Sequence, residues 1–109
     1  MFLGIERFNF LKTKGRKILV LGDMLELGKH EIMEHEKLGK FINEKKIDII
    51  LTYGNLIKFT YLKIDNIKFE KYHFNNFSNL YDKFHSITKK NDLVYIKSSR
   101  SKRLERLYN

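Results

Sequence analysis

An α/β fold, with a Rossmann-like, mostly parallel sheet and helices on its faces, is what this sequence predicts. Three observations predict it. Apolar runs of strand length recur at residues 17–21, 47–52 and 93–96. Between them lie segments whose apolar residues repeat at three- and four-residue spacing, the helical period. Each run breaks into a polar stretch: Gly22-Asp23, Tyr53-Gly54-Asn55 and Lys97-Ser98-Ser99-Arg100. Strands that alternate with helices need crossover connections, so they pair in parallel.

In chain order, residues 2–11 predict a helix whose apolar residues (Phe2, Leu3, Ile5, Phe8, Phe10 and Leu11) spread almost all round the wheel. Such a helix expects partners on most sides. Lys14-Gly15-Arg16 turns into the first strand, and Gly28 marks the end of the loop that follows it. Residues 31–45 give the clearest helix, with Ile32, His35, Leu38, Gly39, Phe41 and Ile42 on one face. Gly39 costs helix propensity there, which predicts close approach to the sheet beneath. A second strand over 47–52 and a short helix over 56–62 follow. A strand within 69–74 is the weakest pattern. Residues 77–87 then predict a helix capped by Asn76 or Ser78. Leu93 to Ile96 is continuously apolar, as a strand buried on both faces would be, and a basic helix is expected to close the chain.

A chain of 109 residues reads as one domain over its whole length, 1–109. A hydrophobic fraction of 42% excludes a disordered chain. Cysteine is absent, which rules out disulfides and cysteine-based metal or nucleophile chemistry and fits a reducing cytoplasm. No apolar run reaches the roughly 18 residues of a membrane span, and no secretory signal opens the sequence. The net charge of +9 raises nucleic-acid binding as a possibility. The lysines are scattered, however, and only 97–106 is a dense basic block, which disfavours a dedicated binder and suits small anionic ligands.

In a parallel sheet the loops after the strands share one edge, so Asp23, Tyr53 to Asn55 and Lys97 to Arg100 fall on a common rim. Asp23 reads either as a turn or helix cap or as an acidic functional group. Lys97 to Arg100 reads either as a solvated cap or as an anion site at a helix amino terminus, where N–H groups and Arg geometry favour carboxylate or phosphate. His35 reads as a hydrogen-bonded core histidine. His30, His73 and His85 have no metal-ligand spacing. No phosphate-cradling Gly-x-x-x-x-Gly-Lys loop and no nucleophile with a base are present, so no catalytic residue and no metal ligand are assigned.

At these same residues the sequence resembles the carboxyl-terminal domain of the Mur ligase family, in particular its dipeptide-adding branch. The resemblance rests on Leu21-Gly22-Asp23-Met24-Leu25-Glu26-Leu27-Gly28 with His35 and Gly39, on Asp48, Tyr53-Gly54 and His73-Phe74, and on Asn91-Asp92-Leu93-Val94 with Lys97, Ser99, Arg100 and Glu105. It spans nearly the whole chain. Ser98, Leu104 and Asn91 depart from it, standing where the family carries glycine, methionine and glycine; Ser98 would restrict its loop if that glycine needs positive φ.

The resemblance implies an ATP-dependent ligase that joins D-alanyl-D-alanine to UDP-N-acetylmuramoyl-tripeptide in peptidoglycan synthesis. It implies an amino-terminal UDP-sugar domain and a central domain for ATP and magnesium, both absent from this sequence, and a sheet here short of at least one strand. The chain alone is then expected to be inactive and to bind neither ATP nor magnesium tightly. Lys97, Ser99 and Arg100 would hold the dipeptide carboxylate or phosphates, with Asp23 and Met24 shaping the facing loop. The alternative is a standalone nucleotide- or nucleic-acid-binding module on the same fold. An open sheet edge and an apolar helix also predict self-association.

Overall fold

The computed structural model describes residues 2–25 and 28–108; Glu26 and Leu27 of the acidic-loop motif lie outside the described residues. Helix α1 (Phe2–Phe10) leads into β1 (Lys17–Gly22), followed by α2 (Glu31–Ile42), β2 (Ile49–Tyr53), α3 (Ile57–Lys63), β3 (Glu70–Phe74), α4 (Phe77–Ile87) and β4 (Leu93–Lys97). The four strands pair in parallel in the order β3-β2-β1-β4. Alternation along the central strands sends side chains to two cores. Leu19, Leu21 and Ile50 meet Ile5 and Phe8 of α1, Leu38 and Ile42 of α2, and Ile57 of α3. Ile18, Val20, Ile49 and Leu51 meet Leu80 and Phe84 of α4 and Leu104 and Leu107 near the carboxyl terminus. The fold is therefore a three-layer α/β sandwich.

Every residue of β1 is buried, because strands pair on both its sides and helices cover both its faces. β4 differs from its sequence expectation. It pairs only with β1, and its apolar residues are half-buried rather than enclosed on both faces. Asn76, and not Ser78, caps α4, its side chain accepting from the Asn79 N–H at 3.1 Å. Gly39 approaches α3, not the sheet: a Cβ there would lie 2.5 Å from the Thr60 carbonyl oxygen. That close approach is reinforced by the Thr60 hydroxyl, which donates to the His35 carbonyl at 2.6 Å. Ile32, counted on the buried face of α2, is 49% exposed.

Helix α1 buries only Ile5 and Phe8, while Leu3, Phe10 and Leu11 stay exposed and Phe2 packs on Phe41. Its apolar girdle is thus only partly used. The expected basic closing helix is instead two 3₁₀ turns, Arg100–Lys102 and Leu104–Tyr108. Arg103 between them takes left-handed backbone, φ 51°, which interrupts a continuous helix. The backbone cost of the departures falls on Asn91, φ 76°, and not on Ser98, whose φ is not positive. Asn tolerates that conformation better than most residues.

Asp92 joins the amino ends of β1 and β4. Its carboxylate accepts from the Arg16 N–H at 2.9 Å, the Lys89 N–H at 2.8 Å and the Arg16 guanidinium at 3.1 Å. Burial by itself would raise its pKa, but these N–H donors and the guanidinium hold it below the ordinary carboxylate value. A depressed folded-state pKa contributes stability that is complete above the unfolded value, about 3.9, and is lost as pH falls through the folded value. Asp92→Asn is expected to lower stability by about 2 kcal/mol at pH 7. Urea unfolding of both proteins at pH 7 and at low pH checks this; a gap that widened on acidification would contradict it.

Candidate functional site at the carboxyl edge of the sheet

Strand order reverses beside β1, since β2 and β3 lie on one side of it and β4 on the other. Open α/β sheets form their ligand crevice at such a switch point, outside the carboxyl ends of the strands. Here the two bordering loops are residues 23–25 after β1 and 98–100 after β4, and they are tied together. The Ser99 N–H donates to the Asp23 carbonyl at 2.9 Å, and the Leu25 N–H donates to Ser99 Oγ at 2.6 Å. Gly22 permits the approach, because a Cβ there would lie 2.6 Å from the Ser98 Cβ.

Asp23 is buried, 3% exposed, and its carboxylate is fully engaged. Oδ1 accepts from the N–H groups of Leu56 at 2.9 Å and Ile57 at 2.8 Å, and Oδ2 from Asn55 at 3.1 Å. Lys102 Nζ lies 3.2 Å from Oδ2. The carboxylate thus caps the start of α3 from a neighbouring strand, supplying acceptors to N–H groups that the helix leaves open. Of the two readings open for Asp23, the cap is the one realised. Gly54, φ 130°, stands against it, and any side chain there would collide with the carboxylate.

Met24 is half-buried, and its N–H donates to His35 Nε2 at 3.1 Å. His35 Nδ1 lies 2.6 Å from the Glu31 carbonyl, so the two bonds together select the tautomer protonated on Nδ1. His35 is buried and bonded at both nitrogens, as its place on the apolar face of α2 predicts. His73, after α3 on β3, meets Thr52 Oγ1 at 2.7 Å and Asn75 Oδ1 at 3.2 Å. Burial lowers its pKa, assisted by Lys58 and opposed by Asn75 and Asp23.

Lys97 and Arg100 are exposed on the rim, and neither side chain makes a hydrogen bond or ion pair with a described residue. Two shallow depressions meet at Ser99 and Arg100. One of about 300 Å³ is lined by Ile96 to Arg100, Leu104, Glu105 and Tyr108; the other, about 320 Å³, by Leu25 and Ser99 to Ser101. The structure therefore brings Asp23, Met24, Ser99 and Arg100 into one neighbourhood with Lys97 beside them. Within it Asp23 and Ser99 bond protein groups, whereas Lys97 and Arg100 present open cationic donors suited to carboxylate or phosphate. Sequence patterning missed Lys102 as the counter-charge of Asp23 and Tyr108 as a wall, because both depend on the irregular turns at the end of the chain. No group of three or more His, Asp or Glu side chains able to hold a metal occurs among the described residues.

A parallel α/β domain with a cationic rim at its strand-order reversal is the class that fold and site define. Its relatives make the assignment particular. The chain is 36% identical over 111 residues to the UDP-N-acetylmuramoyl-tripeptide–D-alanyl-D-alanine ligase of Bacillus subtilis (strain 168), covering 98% of this chain and 24% of that protein. It is 35% identical over 98 residues to the same-named ligase of Buchnera aphidicola subsp. Acyrthosiphon pisum, covering 88% and 21%. Among solved structures it is similar to the MurF ligase from Thermotoga maritima in complex with ADP, with a TM-score of 0.74, 27% identity, and coverage of 98% of this chain and 24% of that one. No protein-family model matches. The chain belongs, as a carboxyl-terminal domain, to the UDP-N-acetylmuramoyl-tripeptide–D-alanyl-D-alanine ligases. It spans about a quarter of the length of the curated relatives it matches. The four-stranded sheet is consistent with a domain of this kind that lacks strands.

Proposed function

We propose that this domain presents D-alanyl-D-alanine to a UDP-N-acetylmuramoyl-tripeptide activated elsewhere in the ligase, and closes over the ATP-bearing part to exclude water. The single observation that carries the reading is the pair of cations, Lys97 and Arg100, whose side chains bond no described residue, beside the locked 23–25 and 98–100 loops. In it, Arg100 and Lys97 hold an oxyanion, either the dipeptide carboxylate or a phosphate. Ser99 fixes the spacing of the loops, and Asp23 and Met24 set the shape of the facing one. None makes or breaks a bond. Dipeptide ligation fits the relatives better than a standalone nucleotide- or nucleic-acid-binding module.

ATP supplies activation of the tripeptide carboxyl as an acyl phosphate. In this reading ATP and magnesium are held by the parts of the longer relatives that this chain does not match. The domain alone is therefore inactive in this reading, and its surroundings are cytoplasmic, where a UDP-linked precursor is made. No helix among the described residues is long and apolar enough to cross a membrane.

In a ligase reconstituted with the missing domains, Arg100→Ala is expected to reduce ligation at least about tenfold, roughly 1.4 kcal/mol. Steady-state ligation with varied dipeptide measures it. A rate unchanged from the parent would remove Arg100 from the site.

A further inference from the structure

At the opposite edge of the sheet, under the amino ends of β1, β2 and β3, lies a cleft of about 590 Å³. Its lining includes Lys12, Lys17, Lys45, Lys46 and Lys68 against two carboxylates, Glu44 and Asp48. Two of the seven charges are already spoken for. Lys45 pairs with Glu6 at 2.9 Å, and Asp48 Oδ2 accepts the Lys17 backbone N–H at 2.8 Å. The ammonium groups of Lys12, Lys46 and Lys68 form no ion pair with a described residue.

Lys17 is the telling member. It is only 8% exposed, yet no carboxylate of a described residue lies within ion-pair distance of its Nζ. That nitrogen donates to the Asn9 carbonyl at 2.6 Å and sits 5.7 Å from the Phe8 ring centre. An ammonium carries three donors, and a buried one without a counter-charge is costly. Burial lowers its pKa, with Lys46 adding repulsion and Asp48 opposing it.

We infer that this cleft binds a small ligand bearing a compact oxyanion, phosphate or carboxylate, with Lys17 at its floor and Lys12 and Lys46 at its mouth. The site is separate from the carboxyl rim and does not depend on the ligase reading. The bound oxyanion supplies Lys17 with the counter-charge that no described residue provides, and the exposed lysines steer it in.

The test titrates the 109-residue protein with pyrophosphate and, separately, with citrate at constant ionic strength, following backbone amides by NMR. Saturable shifts of residues 12–17 and 43–48 are expected, with a binding curve of their own whatever the probes do at the carboxyl rim, and the stronger of the two probes identifies the oxyanion type. Lys17→Met is expected to weaken binding at least about tenfold, and Arg100→Ala to leave it unchanged. Should Lys17→Met fail to fold, Lys12→Ala/Lys46→Ala, confined to exposed side chains, is expected to weaken it severalfold. Non-saturating shifts spread over the basic surface, parent-like binding by these lysine variants, or loss of binding in Arg100→Ala would overturn the site.

Discussion

Asp23→Ala is expected to destabilise the domain by about 3–5 kcal/mol, the range seen when one partner of a buried charged network is removed. The substitution strips acceptors from the N–H groups of Asn55, Leu56 and Ile57 and leaves Lys102 without its partner. Each buried donor left unsatisfied costs roughly 1–3 kcal/mol, though the terms do not simply add. Against a total stability of about 5–15 kcal/mol for a domain, that is a large loss. Lys102→Met removes only the partly exposed cation and is expected to cost no more than about 1 kcal/mol. Urea unfolding at pH 7 reads both. A loss under about 1 kcal/mol for Asp23→Ala would mean that α3 does not depend on this cap.

Gly54→Ala is expected to cost about 3 kcal/mol by a related route. A backbone φ of 130° is one that side-chain-bearing residues rarely adopt, and such strain costs on the order of 1–3 kcal/mol. In addition, the new methyl group would occupy the space of the Asp23 carboxylate and push it off its three donors. Because both substitutions damage one network, the double variant Asp23→Ala/Gly54→Ala should fall well short of the sum of the singles. Additive losses in a double-mutant cycle would show that Gly54 acts through its backbone alone.

Much of this architecture was legible in the residues. The strands announced themselves as apolar runs, and α2 and α4 as stripes at helical spacing, because burial imposes both patterns. His35 was legible for the same reason. What the sequence hid was neighbourhood. An apolar run such as Leu93 to Ile96 looks alike whether two strands or one flank it, so the edge position of β4 emerges only from the pairing. Gly39 signalled close packing without naming its partner, which is α3 and not the sheet. The last basic stretch has helical composition, yet the left-handed backbone at Arg103 breaks it into turns.

At the rim, residue type was informative and residue role was not. Asp23, Ser99 and Arg100 all have chemistry that suits a ligand. The fold assigns two of them to protein bonds whose partners stand far away in sequence, at Asn55 to Ile57 and at Leu25, and leaves Arg100 open. The resemblance located the neighbourhood through the Gly22-Asp23-Met24 motif. Hydrogen bonding then separates the residues that build it from those that face outward. Lys17 shows the converse, since a lysine opening a strand carries no sequence signal of a buried ammonium that no described carboxylate pairs.

In the proposed division of labour, this domain supplies a dipeptide-presenting rim to chemistry held by other parts of the ligase. The most direct measurement is dipeptide ligation, followed as product formation from UDP-N-acetylmuramoyl-tripeptide, D-alanyl-D-alanine and ATP. It is made with the purified 109-residue chain alone and with the amino-terminal and central domains of a relative added. No turnover is expected from the chain alone and ligation is expected on mixing; turnover by the chain alone would overturn the proposed division of labour.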